Sequence, residues 1–342
     1  MLQEIINKKD MSAAVRLISQ ASSVAIVAHM SPDGDAMGSS LAMSIFMQVL
    51  RKSPVAVVMP NRCPQFLSWM PGCDAVVYYD SQQQEADVIL READLILCLD
   101  FNTAKRVGQM EKALLESPAK KVLIDHHIEP DDFADVVISH PEASSTSELV
   151  FRFICQSGHF SDISLTMAQC IYTGMMTDTG NFSYNSQNPE LYNIVAELMR
   201  IGINKDEIYD KVFNTYSPDR LRFVGYCLYM KMKLYKIDKV QKVALIALSR
   251  QELMRFNFQS GDAEGIVNMP MQIGSVVYSC FMREDVDKIK ISFRSQGDRP
   301  ANEFAQDYFN GGGHKNAAGG EYYGKLEDAV NLFEQNFRKS FT

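Results

Sequence analysis

Four short runs of apolar, largely β-branched residues mark the first half of the chain. They read VAIVAH at 24–29, VAVVM at 55–59, LILCLD at 95–100 and KVLID at 121–125. Runs that are apolar at nearly every position are typical of strands buried on both faces of a parallel sheet. The segments between these runs are long enough to contain helices. The pattern therefore predicts an α/β fold with a mostly parallel sheet that is flanked by helices.

After Tyr184 the spacing of apolar residues becomes helical and remains so to about residue 235. Asn204 before KDEIYDKVF and Ser217 before a proline are typical of residues that cap a helix N-terminus. This segment is predicted to be a helical connector.

Strand-like runs return in the last third of the chain. They lie near residues 242–248, 275–282 and 288–294, and a glycine-rich stretch follows at 311–320. Glycines in succession are unfavourable in regular elements, so this stretch is predicted to be a loop. The last third is therefore expected to form a smaller α/β domain with a mixed sheet.

The length of 342 residues favours two domains, because single cores stop growing at about 250–300 residues. We expect a first domain at 1–186, a helical linker at 187–216 and a second domain at 217–342. The composition, 46% hydrophobic and 22% charged, is that of a globular protein. The net charge of −8 argues against a protein that coats long nucleic acid, because phosphate neutralisation needs a broad basic surface.

The chain has no apolar run near the ~20 residues that span a bilayer, and its N-terminus lacks the apolar stretch of a signal peptide. Its seven cysteines are scattered and form no CxxC pair. An odd number of unpaired cysteines is typical of buried thiols in a reducing compartment. The sequence therefore predicts a cytoplasmic protein without a membrane partner, and it is compatible with a homodimer.

Carboxylate and imidazole groups gather where the predicted strands end. Ligands of open α/β sheets bind at the carboxyl ends of the strands, so these groups are candidates for one site. They are His29, Asp33 and Asp35 after the first run, Asp100 after the third, Asp125, His126 and His127 after the fourth, and Asp178 at the end of a predicted helix.

Imidazoles with several carboxylates and no thiolate favour Mn, Mg, Fe or Co over structural zinc. The set is too large for one ion. It suits two divalent cations about 3.5–4 Å apart that share a carboxylate, an arrangement that supports in-line displacement at phosphorus. The ligand types favour Mn²⁺ and also accommodate Mg²⁺ or Co²⁺.

The second domain carries a candidate anion site. Gly312 and Gly313 leave the backbone open to close approach by a ligand, and His314 adds a donor. Arg294 offers bidentate recognition of phosphate, and Ser295 follows it on a predicted strand. These residues are expected to bind a phosphate or a nucleotide backbone.

The order HxxxDxD, a strand-end Asp, Asp-His-His and a late Asp before Thr-Gly resembles the motif series of the DHH phosphoesterases over essentially the whole chain. FRSQG at 293–297 and GGGHKNAAGG at 311–320 resemble substrate-binding motifs of the DHH-associated domain. Within the family the chain looks most similar to the branch of nanoRNases and pAp phosphatases. The resemblance implies that 1–186 is the DHH catalytic domain and 217–342 the DHH-associated domain.

The resemblance also implies a role for each candidate residue. The ligands fall into two sets that share Asp100: His29, Asp33 and Asp100 for one ion, and Asp35, Asp100, His126 and Asp178 for the other. His127 would face the scissile phosphate, Asp125 would orient the imidazoles, and Arg106 would contact the substrate.

The implied function is hydrolysis of short oligoribonucleotides to mononucleotides and of 3′-phosphoadenosine 5′-phosphate (pAp) to AMP. A hydroxide between the two ions would attack phosphorus in line. His127 would either stabilise charge on the phosphoryl oxygens or protonate the leaving oxygen. The chain lacks the excess of basic residues that an extended nucleic-acid surface needs, so a compact pocket is expected. Such a pocket favours substrates a few nucleotides long and removal of nucleotides from one end.

Three alternatives stay open at this point. A soluble phosphodiesterase for cyclic dinucleotides such as c-di-AMP, or for linear pApA, would need the same catalytic residues. An inorganic pyrophosphatase would share the metal chemistry, although FRSQG and GGGH suit nucleotides better than a dense diphosphate pocket. A catalytically inactive nucleotide-binding protein would be expected to lack at least one predicted ligand, and all six are present here.

Overall fold

The computed structural model describes residues 3–259 and 261–341, and for 339–341 the backbone alone. The chain divides into two compact units, Met1–Thr215 and Tyr216–Thr342. None of the described helices has the length and apolarity that crossing a membrane requires.

A six-stranded sheet forms the centre of the first unit. Its strands are β1 (Val24–Val27), β2 (Val55–Met59), β3 (Val77–Tyr78), β4 (Leu95–Leu99), β5 (Lys120–Asp125) and β6 (Val136–Ser139). The spatial order is β3-β2-β1-β4-β5-β6, and each neighbouring pair is parallel. The direction of winding therefore reverses between β1 and β4, where open α/β sheets bind ligands. The predicted α/β fold with a parallel sheet is confirmed.

Helices cover both faces of this sheet. They are α1 (Lys8–Gln20), α2 (Gly34–Val49), α3 (Gln83–Glu92), α4 (Glu111–Glu116), α5 (Thr146–Gln156), α6 (Leu165–Asp178), α7 (Pro189–Ile201) and α8 (Lys205–Phe213). Val24 and Ile26 of β1 point into a core that includes residues of α1, α2, α5 and α6. Ala25 and Val27 point into the opposite core, against α3 and α4. Both faces of β1 are thus buried, which explains its uninterrupted apolar run.

The first unit extends past residue 186 and includes most of the segment expected to be a linker. Leu191, Ile194 and Leu198 form one apolar face of α7, and they are buried in the same core as α2 and α6. Asn204 caps α8, as its sequence position predicts, and its side chain accepts a hydrogen bond from Glu207 N. The apolar faces of α7 and α8 thus dock on the first unit.

The second unit contains a mixed six-stranded sheet, as predicted. Its strands are β7 (Lys233–Lys236), β8 (Lys242–Leu248), β9 (Val276–Glu284), β10 (Ile289–Ser295), β11 (Gly312–His314) and β12 (Ala317–Tyr322), in the order β11-β12-β10-β9-β8-β7. Only β8 and β9 are parallel among the described pairs. Its helices are α9 (Pro218–Tyr226), α10 (Arg250–Arg255), α11 (Ala301–Phe309) and α12 (Leu326–Phe341).

Shorter helical segments connect these elements. The 3-10 helices are Gln65–Leu67, Cys73–Ala75, Ala104–Met110, Phe160–Asp162 and Ile266–Gln272, and a π-helix spans Cys227–Lys231.

The prediction of a loop at 311–320 is wrong. This stretch forms the paired strands β11 and β12. A Cβ on Gly311 would overlap the carbonyl oxygen of Gly319, and one on Gly320 would lie 2.8 Å from that of Phe309. The glycines are needed because the two strands and the end of α11 approach one another too closely for side chains.

Candidate metal centre

The turn from β1 into α2 carries the first candidate ligands. Ser31 in this turn has a positive φ of 59°, and Asp33 follows as the N-cap of α2. One oxygen of Asp33 accepts hydrogen bonds from Asp35 N and Ala36 N, both at 3.0 Å. Its other oxygen lies 3.8 Å from His29 Nε2. The helix cap therefore fixes the carboxylate that faces His29.

Glycines allow the first turn of α2 to pack tightly against α6. A Cβ on Gly34 would overlap the side chain of Thr177, and one on Gly38 would lie 2.6 Å from the carbonyl oxygen of Cys170. This close packing brings Asp35 at the start of α2 near the end of α6, where Asp178 lies.

Asp100 stands at the centre of the cluster, directly after β4. Its φ of 65° is rare for a residue other than glycine. Its two carboxylate oxygens point in different directions: Oδ2 lies 3.3 Å from His29 Nε2, and Oδ1 lies 3.5 Å from His126 Nε2. One buried carboxylate thus faces two imidazoles from two different strand ends.

Both imidazoles are oriented by backbone carbonyl groups. His29 Nδ1 donates to the carbonyl oxygen of Met30 at 3.0 Å, and His126 Nδ1 donates to that of Ala143 at 3.4 Å. Because a carbonyl oxygen only accepts, each Nδ1 carries a proton, and Nε2 is the nitrogen that faces the carboxylates. This orientation leaves Nε2 as the nitrogen that would bind a metal once it is deprotonated.

Two further carboxylates complete the surroundings of His126. Its Nε2 lies 3.6 Å from Asp178 Oδ2 and 3.9 Å from Asp35 Oδ2. The donor atoms of His29, Asp33 and Asp100 lie within 4.8 Å of one another, and so do those of Asp35, Asp100 and His126. These two sets share Asp100, and the second of them does not include Asp178.

The charges in this cluster are poorly balanced by protein groups. Burial and the neighbouring carboxylates of Asp35 and Asp33 raise the pKa of Asp100 well above its ordinary range. Burial lowers the pKa of His126, but Asp178, Asp100 and Asp35 outweigh it and raise that pKa to about 9. Carboxylates that repel one another in a buried site are stabilised by a cation, and N and O donors 3.3–3.9 Å apart can share one. The donor set therefore fits divalent cations.

His127 borders these two sets: its Nδ1 lies 3.8 Å from Asp100 Oδ1, and the donor atoms of Asp100, Asp125 and His127 also lie within 4.8 Å of one another. Its Nδ1 donates to Asp125 Oδ1 at 2.7 Å, whereas the other oxygen of Asp125 is buried and has no hydrogen-bond partner among the described residues. Burial, and then the charges of Arg106 and His126, lower the pKa of His127 well below its ordinary value. Arg106 lies half-buried in the 3-10 helix after β4, close enough for its charge to act on this imidazole.

The start of α5 contributes residues that the sequence does not identify as part of the site. Asp35 accepts hydrogen bonds from Thr146 N at 2.6 Å and from Ser147 N at 2.8 Å. Thr146 Oγ1 also donates to Asp100 Oδ1 at 3.0 Å. In the sequence, SSTSE at 144–148 indicates a helix cap, and Ser145 is indeed the N-cap of α5. The sequence feature that points to hydrogen bonding with Asp35 and Asp100 is the pair of hydroxyl residues, Thr146 and Ser147, directly after that cap.

Arg294 and His314 lie in one row of the mixed sheet. Arg294 on β10 is directly opposite Ala317 on β12, which is in turn opposite His314 on β11. Residues directly opposite in antiparallel strands project from the same face. The register therefore brings Arg294 and His314 to one face, on either side of the small Ala317.

The other candidate residues of the second unit have different positions. Ser295 Oγ accepts a hydrogen bond from Asn316 Nδ2 at 2.8 Å, so it stabilises the turn between β11 and β12. Gly313 is paired with Ala318, whose side chain faces the core, whereas Gly312 lies on the same face as His314. A Cβ on Gly313 would lie 2.7 Å from the carbonyl oxygen of Ala317, which explains this glycine by packing.

The motifs, fold and strand-end cluster agree with a comparison against protein-family models. Residues 23–175 match the N-terminal domain of the DHH family, and residues 241–339 match the DHHA1 domain. The chain belongs to the DHH family. DHH-family relatives of this chain are hydrolases acting on phosphoester bonds, and this chain is such a hydrolase.

Individual DHH-family proteins are similar over most of the chain. The crystal structure of an exopolyphosphatase-related protein from Bacteroides fragilis is 51% identical, covers 99% of this chain and 98% of that one, and superimposes with a TM-score of 0.92. The bifunctional oligoribonuclease and PAP phosphatase NrnA of Bacillus subtilis is 25% identical, with 90% of this chain and 92% of the relative covered. NrnA of Thermus thermophilus is 28% identical, with 93% and 90% covered.

Proposed function

We propose that the protein hydrolyses short oligoribonucleotides to mononucleotides and pAp to AMP, using two divalent cations for which Mn²⁺ is favoured. The observation that carries the proposal is the position of Asp100, whose two oxygens face two separate imidazole and carboxylate sets. The names of the two NrnA relatives, an oligoribonuclease and PAP phosphatase, support the choice of substrates.

The proposed cation ligands are Asp100 and the five residues around it. They are His29, Asp33 and Asp100 for one cation, and Asp35, Asp100, His126 and Asp178 for the other. When bound, such a pair of cations activates water and screens the charge of the phosphoryl oxygens.

The protein's own groups would position the substrate and handle its charge. His127 is the proposed contact to the scissile phosphate, with Asp125 fixing the orientation of its ring. Arg106 would contact a phosphoryl oxygen from the side of β4. In the second unit, Arg294, Ser295, Gly312, Gly313 and His314 are proposed to bind the nucleotide backbone.

The experiment that tests this function is product release in the presence of Mn²⁺ from four substrates in parallel: pAp, a 5′-phosphorylated RNA dinucleotide, c-di-AMP and pyrophosphate. We expect AMP from pAp and mononucleotides from the dinucleotide to appear fastest. Faster consumption of c-di-AMP would move the function to cyclic dinucleotide turnover. Nucleotide binding without turnover would contradict the proposal and favour an inactive binding protein.

Removal of divalent cations is expected to lower the thermal stability of the first unit, because the carboxylates around Asp100 then repel one another. After dialysis against EDTA, addition of Mn²⁺ at about 100 times its Kd should raise Tm by about 5–10 °C, which corresponds to about 2.7 kcal/mol. Calorimetry measures this shift. In Asp100→Asn the shift should be much smaller, and an unchanged Tm in the unmodified protein would contradict cation binding at this cluster.

Arg294→Ala is expected to raise KM for pAp and the dinucleotide by about tenfold or more, while the metal content stays the same. The reason is that Arg294 lies on β10 of the second unit and none of the proposed cation ligands does. Steady-state kinetics and elemental analysis give both quantities. Arg250→Ala, which removes an exposed arginine from α10 of the same unit, is the control. Loss of metal in Arg294→Ala would overturn the assigned role.

A further inference from the structure

Two thiol groups lie side by side in the segment that joins β2 to β3. Cys63 follows β2, and Cys73 begins the 3-10 helix Cys73–Ala75. Their sulfur atoms are 3.7 Å apart, although the two residues are ten positions apart in the sequence. The sulfur atoms of a disulfide are about 2.05 Å apart, so an approach of about 1.6 Å would bring this pair to bonding distance.

The two thiols differ in chemical reactivity. The hydroxyl oxygen of Tyr78 lies 3.6 Å from Cys63 Sγ and 3.8 Å from Cys73 Sγ, so the three groups form one cluster. Hydrogen bonding between the thiols, with Cys73 as the donor, lowers the pKa of Cys63 and raises that of Cys73. The charge of Arg62, whose guanidinium lies 5.4 Å from the centre of the Tyr78 ring, also favours the Cys63 thiolate. Because the thiolate is the nucleophile, Cys63 is the residue of the pair that reacts first with an oxidant.

Both thiols lie close to the surface of the first unit. Cys63 is 7% exposed and Cys73 is 6% exposed, and each directly follows an exposed residue, Arg62 or Gly72. Hydrogen peroxide is little larger than water, so it suits this narrow access better than a bulky reagent does. A hydroperoxide is therefore the class of oxidant that fits the pair.

The start of this segment is connected to the turn that carries the first candidate ligands. Asn61, two residues before Cys63, accepts a hydrogen bond from Ser31 N at 2.6 Å through its side-chain oxygen. Ser31 lies between His29 and Asp33, in the part of the turn that has a positive φ. A displacement of Cys63 would therefore be transmitted through Asn61 to both candidate ligands.

The end of the segment packs against α2 and α6, the helices that carry two more of the proposed ligands. A Cβ on Gly72, directly before Cys73, would lie 3.5 Å from Cδ2 of Leu41 on α2. Cys170 Sγ on α6 donates to the carbonyl oxygen of Pro71 at 3.9 Å. A displacement of Cys73 would therefore disturb the packing beside these two helices.

We propose that Cys63 and Cys73 are a site of reversible oxidation, at which a hydroperoxide forms a disulfide that slows phosphoester hydrolysis. The slowing follows from the contacts at both ends of the segment, because drawing the two sulfurs together moves residues that hold the candidate ligands in place. The part of the inference that concerns activity rests on the proposed function, whereas the disulfide itself does not.

The oxidation proceeds in two steps that balance without a further reactant. The Cys63 thiolate attacks one peroxide oxygen, the O–O bond breaks, and Cys63 becomes a sulfenic acid while the other oxygen leaves as water. The sulfur of Cys73 then attacks the sulfur of Cys63, the S–O bond breaks, and a second water carries away the proton of Cys73. Two thiols are oxidised to one disulfide, and one hydrogen peroxide is reduced to two waters. A small thiol reverses the reaction by exchange.

Mass spectrometry tests the disulfide directly. Trypsin releases residues 63–91 as one peptide that contains these two cysteines and no other. After treatment of the full-length protein with hydrogen peroxide, we expect this peptide to lose two hydrogens and to resist alkylation, and a phosphine reductant should restore both thiols. Oxidation of Met70 in the same peptide adds an oxygen, so its product has a different mass. Two free thiols in this peptide, under conditions that oxidise the half-buried Cys155, would overturn the proposal.

Turnover of pAp before and after peroxide tests the effect on activity. We expect kcat to fall at least about fivefold and to recover on reduction, because displacements of about 1 Å far from the reacting atoms can cost up to about a hundredfold. Cys63→Ser and Cys73→Ser should keep their kcat after peroxide, whereas the matched control Cys155→Ser should be as sensitive as the unmodified protein. An equal loss in Cys63→Ser would overturn the link between this pair and activity. If the reduced, unmodified protein does not hydrolyse pAp, the proposed function fails, and the mass measurement still decides whether the disulfide forms.

Discussion

Replacing Asp100 with alanine is expected to reduce turnover of every substrate by at least about a thousandfold. Its two oxygens face His29 on one side and His126 on the other, so one substitution removes a donor from both sets. The defect should be in kcat and in metal content together. Elemental analysis of the purified variant should find fewer than two bound cations per chain, and calorimetry should show that it still unfolds cooperatively.

A matched control exists at the same edge of the sheet. Asp80 follows β3 at its carboxyl end, as Asp100 follows β4, but it is exposed and belongs to neither donor set. Asp80→Ala should keep full activity and full metal content. Substantial activity in Asp100→Ala would exclude a shared carboxylate, even if the rest of the cluster binds metal.

His127→Asn is expected to lower kcat by about 10²–10⁴-fold while leaving two cations bound. The imidazole is held by Asp125 through Nδ1 and is kept neutral by burial and the nearby positive charges. With Nδ1 fixed by Asp125, Nε2 is the nitrogen that can contact the phosphoryl group, and the negative charge of a bound phosphate would favour the protonated ring that this contact needs. Single-turnover kinetics with pAp measures the chemical step directly.

His159 provides the comparison for this variant. Its Nδ1 lies 2.7 Å from Asp162, the same distance as in the pair of His127 with Asp125, but on the surface of the first unit. His159→Asn should leave kcat unchanged. Loss of a cation from His127→Asn would show that His127 is a ligand, which contradicts the role proposed here.

The clustering of the ligands follows from strand order, which the sequence largely predicts. Parallel strands end at one edge, so His29, Asp100 and His126 meet once β1, β4 and β5 are neighbours. The apolar runs predict these strands because both of their faces are buried. Short strands such as β3, with two residues, leave no such pattern.

The positions of groups on helices depend on packing that a linear pattern does not record. Asp178 reaches His126 because Gly34 and Gly38 let α2 lie close to α6. Thr146 contacts Asp100 because the first residues of α5 lie next to the cluster. In the second unit the glycines at 311–320 predict flexibility, whereas close backbone contacts make them part of a sheet. In each case the sequence contains the residues, but it does not show the tertiary contacts that give them their roles.

Anomalous diffraction from crystals grown with Mn²⁺ gives the most direct test of two cations that share Asp100. We expect two peaks on either side of the Asp100 carboxylate, one beside His29 and Asp33 and the other beside Asp35, His126 and Asp178. Peaks elsewhere, or a single peak that Asp100 does not contact, would contradict a two-cation centre built around this residue.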